Sequence, residues 1–234
     1  MKTVGIIGGI GPESTIEYYR QIIAAYRARQ NHPSSPSIII NSIDINKLLA
    51  WMRADDLGAV TDYLLDEIHR LARAGADFGA VAANTPHIVF DALQQRSPIP
   101  LLSIVEATRD EARSRGIKKV GLFGTRFTMQ GQFYPEVFLR AGIQIIAPND
   151  EEQSYIHEKY LGELLNNIFA SETRAGLLAI VDRLKARDDI EGLILGGTEL
   201  PLILRNKEHN GVPFLDTTRI HVQSIVNELL KPDG

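Results

Sequence analysis

Three stretches of this chain occur twice, in the same order and at nearly the same spacing, and this repetition limits the fold more than any single motif. Lys2-Thr3-Val4-Gly5-Ile6-Ile7-Gly8-Gly9 returns as Lys118-Lys119-Val120-Gly121-Leu122-Phe123-Gly124-Thr125, an offset of 116 from Val4 to Val120. The apolar run Phe78 to Ala82, which turns polar at Asn84-Thr85-Pro86-His87, is answered by Leu193-Ile194-Leu195 and then Gly196-Gly197-Thr198-Glu199-Leu200-Pro201. The offset from Thr85 to Thr198 is 113. Ile99-Pro100-Leu101-Leu102 is echoed by Val212-Pro213-Phe214-Leu215, again with 113 from Pro100 to Pro213. Repeated segments in one order mark a duplicated supersecondary unit.

Each copy alternates short apolar runs with helical patterns. In the first, strands over Lys2 to Ile7, Ser37 to Ile43 and Phe78 to Ala82 are separated by helices from Glu13 to about Ala28 and from Leu57 to Ala74. A further helix runs from Pro86 to Gln94. In the second, the spacing predicts helices over Met129 to Ala141, Glu151 to Phe169 and Thr173 to Ala186. A strand lies at Ile143 to Ile146, and a last helix runs from Thr217 to Leu230. Such alternation builds parallel sheets. The expected fold is therefore α/β, in two pseudo-symmetric lobes that are each a parallel-sheet α/β sandwich. The first lobe is expected over 1–105, with the C-terminal helix in 215–234 packing back on it, and the second over 106–214. Ligands of open parallel sheets sit at the carboxyl ends of the strands, which places the expected site in an inter-lobe cleft.

Composition narrows the classes of function. With 234 residues, 44% of them hydrophobic, the chain can bury a substantial core. Its 25 basic and 29 acidic residues leave a net charge of −4 and form no basic stripe, so nucleic acid is not the expected partner and a small metabolite is. There are no cysteines, which removes disulfides, thiolate metal sites and thiol nucleophiles together. No apolar run reaches the ~20 residues of a membrane span, and Met1 leads directly into the first strand. These features predict a soluble, cytoplasmic protein without membrane contact.

The loops after the strands carry the candidate chemistry. Gly8-Gly9-Ile10-Gly11-Pro12 opens a helix, but Pro12 removes an amide and Asp44 lies too far along for a dinucleotide fingerprint. The loop suits either a carboxylate at a helix start or simply a tight strand-to-helix turn. Asn84-Thr85 and Thr198-Glu199 are short polar side chains at strand ends, able to hydrogen-bond a small zwitterion. Each pair alone would serve as a helix cap, and their equivalent places in the repeat favour binding. Thr125 and Thr128 flank Arg126-Phe127 after the second glycine strand and suit carboxylate contact, while Arg126 reads equally as a surface charge. His87, Glu199 and Asp44 are the candidate acids or bases. A histidine such as His87 more often packs or caps. No metal-ligand spacing and no glycine-x-serine-x-glycine elbow occurs.

Taken together, Lys2 to Thr15, the two threonine stretches and Leu122 to Met129 make the chain similar, over nearly its whole length, to the aspartate/glutamate racemase family. It is nearest to the branch of broad-specificity and L-aspartate/glutamate-specific racemases. The resemblance implies two facing cysteines that move the α-proton without pyridoxal phosphate, metal or other cofactor. The first thiol belongs in a cysteine-asparagine-threonine motif, where this chain has Ala83, and the second in a glycine-cysteine-threonine-glutamate motif, where it has Gly197. The same resemblance assigns Asn84, Thr85, Thr125 and Thr198 to the substrate carboxylate and amine, with the Ile10 loop beside them. It places Arg53 near the side-chain carboxylate and implies a homodimer. Alanine and glycine carry no titratable proton, which leaves three readings. One is a protein that binds a small amino acid or dicarboxylate without racemising it. Another is a decarboxylase, lyase or isomerase using His87, Glu199 or water, and the last is a thiol-free variant of a true racemase.

Overall fold

The computed structural model describes residues 2–30 and 34–232. The chain is an α/β protein of two lobes. One comprises the residues up to Ile104 and the segment from His221 onward, and the other comprises Val105–Ile220.

In the first lobe β1 (Thr3–Gly8), β2 (Ser37–Ser42), β3 (Phe78–Val81) and β4 (Leu101–Leu102) form a parallel sheet in the order β2-β1-β3-β4. Val4, Ile6, Ile7, Phe78, Ala80 and Val81 are all buried. A parallel strand covered on both faces is apolar throughout for this reason. Helix α1 (Pro12–Arg27) starts with proline in its first turn and with Gly11 at a φ of 94°, a backbone that glycine adopts without strain. The stripe Val60, Leu64, Leu65, Ile68 and Leu71 buries α3 (Leu57–Arg73), and Gly75, at a φ of 95°, ends that segment. Val222, Ile225, Val226 and Leu229, from the end of the chain, pack with Val4, Ile6, Tyr18 and Ile22 in the core of this lobe. The last two positions of the expected 215–234 segment fall outside the described residues.

In the second lobe, entered through α5 (Ile104–Ser114), the order is β6-β5-β7-β9-β8. The strands are β5 (Lys119–Gly124), β6 (Gln144–Ile146), β7 (Gly192–Gly196), β8 (Glu208–His209) and β9 (Val212–Asp216). The first four of these reproduce the order of the first lobe. The fifth is an addition, because β8 pairs antiparallel with β9 through Asn210-Gly211, whose φ values of 48° and 75° make a two-residue hairpin turn. The sheet is thus parallel in the main and not throughout.

Several helices differ from their expected extents. The segment after β2 forms α2 (Ile45–Arg53), capped by the Asp44 carboxylate accepting from the Asn46 amide at 2.9 Å. The residues after Asn84 make a 3₁₀ turn, Thr85–Val89, before α4 (Phe90–Arg96). The expected helix over 129–141 is two helices, α6 (Arg126–Gln130) and α7 (Phe133–Leu139). They part at Gly131, whose added Cβ would lie 2.6 Å from the Phe127 carbonyl oxygen. Helix α8 (Asp150–Gly162) stops before a 3₁₀ turn, Leu164–Asn166, which Asn167 closes in the left-handed region. Then come α9 (Ser171–Asp188), α10 (Leu200–Ile203) and α11 (Thr217–Leu229). No helix among the described residues is long and apolar enough to cross a membrane.

Candidate functional site

At the end of β1 the chain turns tightly over α1. A Cβ on Gly8 would stand 2.8 Å from Thr15 Oγ1, so only glycine lets the strand end approach the helix. Thr15 Oγ1 accepts from the Gly9 amide at 2.8 Å, and the Ser14 hydroxyl donates to the Gly11 carbonyl at 2.7 Å. With Pro12 lacking an amide and the Gly9 amide engaged, much of the loop's donor capacity closes the turn itself. Ile10 is partly exposed at its tip.

At the end of β3, Ala83 and Asn84 are buried and Thr85 is half-buried. Asn84 holds the N-cap position of the 3₁₀ turn without a side-chain capping bond. His87 is 3% exposed. Its Nδ1–H donates to the Ala83 carbonyl at 2.9 Å, and its Nε2 accepts the Ile104 amide at 3.2 Å. The carbonyl only accepts and the amide only donates, so the tautomer is fixed. Burial, and then the neighbouring His221, lowers the His87 pKa to about 3. Neither ring nitrogen is open to a substrate in this geometry, which suits a positioning role for Ala83 and leaves no lone pair for a general base. His221 is a second neutral imidazole: its Nδ1 accepts from Tyr18 Oη at 3.0 Å and its Nε2–H donates to the Leu102 carbonyl at 3.1 Å. Burial lowers its pKa to about 4. Arg53 closes α2 and is exposed.

The second lobe repeats the glycine-against-threonine contact. A Cβ on Gly124 would lie 2.9 Å from Thr128 Cβ, and Thr128 is fully buried against that strand end. Thr125 is the N-cap of α6, its Oγ1 accepting from the Thr128 amide at 3.3 Å. Both threonines thus have structural work at the turn. Arg126 is exposed, its amide donating to His157 Nδ1 at 3.1 Å and its guanidinium to Ser154 Oγ at 3.2 Å.

At the end of β7 the chemistry is different. Glu199 is 2% exposed, and its Oε2 accepts from the Thr198 hydroxyl at 3.0 Å and from the Tyr160 phenol of α8. Burial raises the Glu199 pKa, and burial followed by the Glu199 charge raises Tyr160 well above the ordinary phenol range. Among the described residues no lysine or arginine forms an ion pair with Glu199. Thr198 therefore serves a carboxylate and not a helix cap.

Sequence reasoning singled out Thr198 and Glu199 but not Tyr160, which stands 39 positions before Glu199. It likewise missed Tyr18 and His221, 203 positions apart. No local pattern joins residues at such separations. The one hint the sequence holds is that Ile156 and Leu164 stand four residues either side of Tyr160, which marks it as inward-facing.

This is a two-lobed α/β protein on mainly parallel sheets, with small and hydroxyl-bearing residues at matching strand ends. The model of the Asp/Glu/hydantoin racemase family matches residues 7–225. The chain belongs to that family. It is 26% identical to the broad specificity amino-acid racemase RacX of Bacillus subtilis, over 97% of this chain and 98% of the relative. A Yersinia pestis crystal structure assigned as an Asp/Glu racemase superposes with a TM-score of 0.90 at 33% identity, covering 99% of this chain and 100% of the other. An aspartate racemase homologue from Pyrococcus horikoshii superposes with a TM-score of 0.83, also at 33% identity and with the same coverages.

Proposed function

We propose that this chain is a racemase-family protein that binds a small amino acid or dicarboxylate and does not racemise it by a two-thiol route. The observation that carries this reading is the pair Ala83 and Gly197, at the positions the resemblance assigns to the thiols. A methyl group and a hydrogen cannot take or return an α-proton. His87 is no substitute, since both ring nitrogens are engaged and its pKa is lowered to about 3. Asn84, Thr85, Thr125 and Thr198, with the Ile10 loop and Arg53, are the proposed contacts to the ligand carboxylates and amine. Thr128 supports Thr125 from beneath. The reading includes a cytoplasmic homodimer working without pyridoxal phosphate or metal.

Isothermal titration with aspartate, glutamate and succinate tests it, alongside Thr198→Val. Saturable binding of at least one of these, weakened in the variant, is the expected result. Absence of binding across the panel refutes the reading, and so does conversion of L-aspartate or L-glutamate to the opposite hand, followed by polarimetry.

A further inference from the structure

Position 197 is glycine for a reason that its backbone does not supply. Its φ lies outside the left-handed region, so an L-residue could adopt the conformation. The obstacle is space. A Cβ built on residue 197 would stand 2.8 Å from both Cζ and Oη of Tyr160 and nearer still to Cε2. Non-bonded carbon atoms settle at roughly 3.5–4.0 Å.

An exposed tyrosine would swing aside, but Tyr160 is held. It is 5% exposed and belongs to the core cluster that includes Phe123, Met129, Leu164 and Leu195. Its hydroxyl donates to Glu199, which the Thr198 hydroxyl also holds. Moving the ring would disturb close-packed neighbours and strip a donor from a buried carboxylate, and both are costly.

We propose that Tyr160 occupies the volume of a residue-197 side chain, so that a tyrosine at 160 and any side chain at 197 exclude each other. The polar group at the end of β7 is then a phenol hydrogen-bonded to a carboxylate, in place of any group carried by residue 197. The first lobe has no such lock at Ala83, which already bears a Cβ. One consequence rests on the proposed function: restoring cysteine at 83 and 197 does not rebuild a working thiol pair while Tyr160 remains. The exclusion itself needs no ligand and stands or falls independently of that function.

A double-mutant cycle on the full chain, read as thermal unfolding midpoints, tests the exclusion. Gly197→Ala is expected to lower the midpoint by several degrees beside Tyr160. The loss should persist in Tyr160→Phe, which keeps Cε2 and Cζ, and should disappear in Tyr160→Ala. Tyr160→Leu, which also lacks the ring, replaces Tyr160→Ala if the latter does not fold. If Gly197→Ala folds only once the ring is gone, the exclusion is supported. An equal loss in every background overturns it, and so does a Gly197→Ala defect that neither small residue at 160 relieves.

Discussion

The ends of β3 and β7 follow one backbone plan and hold opposite chemistry. After β3, a small residue precedes Asn84-Thr85, and the buried groups beneath are two imidazoles, His87 and His221, kept neutral by burial and oriented by main-chain partners. After β7, a small residue precedes Thr198-Glu199, and the buried groups are a carboxylate and a phenol that share one hydrogen bond. The two lobes share the turn and differ in what is buried beneath it. Strand order and the glycine-threonine contacts at Gly8 and Gly124 are common to both copies, because they are conditions for a strand to turn into a helix. The buried polar partners come from other elements and belong to each lobe alone.

Acid sharpens this contrast most. The two histidines have folded pKa values of about 3 and about 4, below the unfolded value of 6.5. Their contribution is fully present above pH 6.5 and is lost as pH falls toward those values, because the unfolded chain then binds more protons. The slope is up to about 1.4 kcal/mol per pH unit for each histidine. Glu199 acts in the reverse sense. Its raised pKa makes its contribution greatest below the unfolded value and smaller as pH rises through the folded one. Urea unfolding between pH 7.5 and 5, followed by amide exchange in each lobe, should show the first lobe loosening first. Loosening confined to the second lobe would contradict the assignment of the acid-sensitive groups to the first.

His87→Ala is expected to cost about 2–4 kcal/mol in urea unfolding, since it leaves the Ile104 amide and the Ala83 carbonyl without their present partner and opens a cavity beside Phe90. Tyr160→Phe should cost less, about 1–2 kcal/mol, because Glu199 keeps the Thr198 hydroxyl. If the two losses were equal, the carboxylate would depend on the phenol as strongly as the backbone depends on His87. Thr125→Ala should cost about 1 kcal/mol through loss of the α6 cap, and Thr125→Ser should recover most of it. The Arg96–Asp62 pair, exposed on both sides, is expected to contribute close to nothing when Arg96 is replaced by alanine.

The sequence made the architecture readable because parallel strands and amphipathic helices leave periodic traces. Val4 to Ile7 and Leu193 to Leu195 are apolar without a break, and Val60, Leu64, Ile68 and Leu71 recur at helical spacing. Helix α2 is hidden because its first turn, Ile45-Asn46-Lys47, reads as polar loop, and the break at Gly131 is a turn to extended backbone, φ −70° and ψ 148°, that spacing does not reveal. At the site, the positions at strand ends could be read from the repeat. The environment of those positions could not. His87 was a candidate base until two backbone partners placed by α5 and the end of β3 enclosed it. By the family resemblance Gly197 stands at a thiol position, and under the proposed exclusion glycine is also the only residue type that Tyr160 leaves room for.

Proton NMR of aspartate, glutamate and succinate in deuterated buffer tests, in one sample, both binding and the absence of two-thiol proton transfer. Saturation transferred from the protein to the ligand reports binding, and the Cα–H signal reports exchange. Transfer to at least one of the three, with the Cα–H signals of the amino acids retained, is the expected result. Loss of either Cα–H signal, or absence of transfer to all three, would contradict this reading.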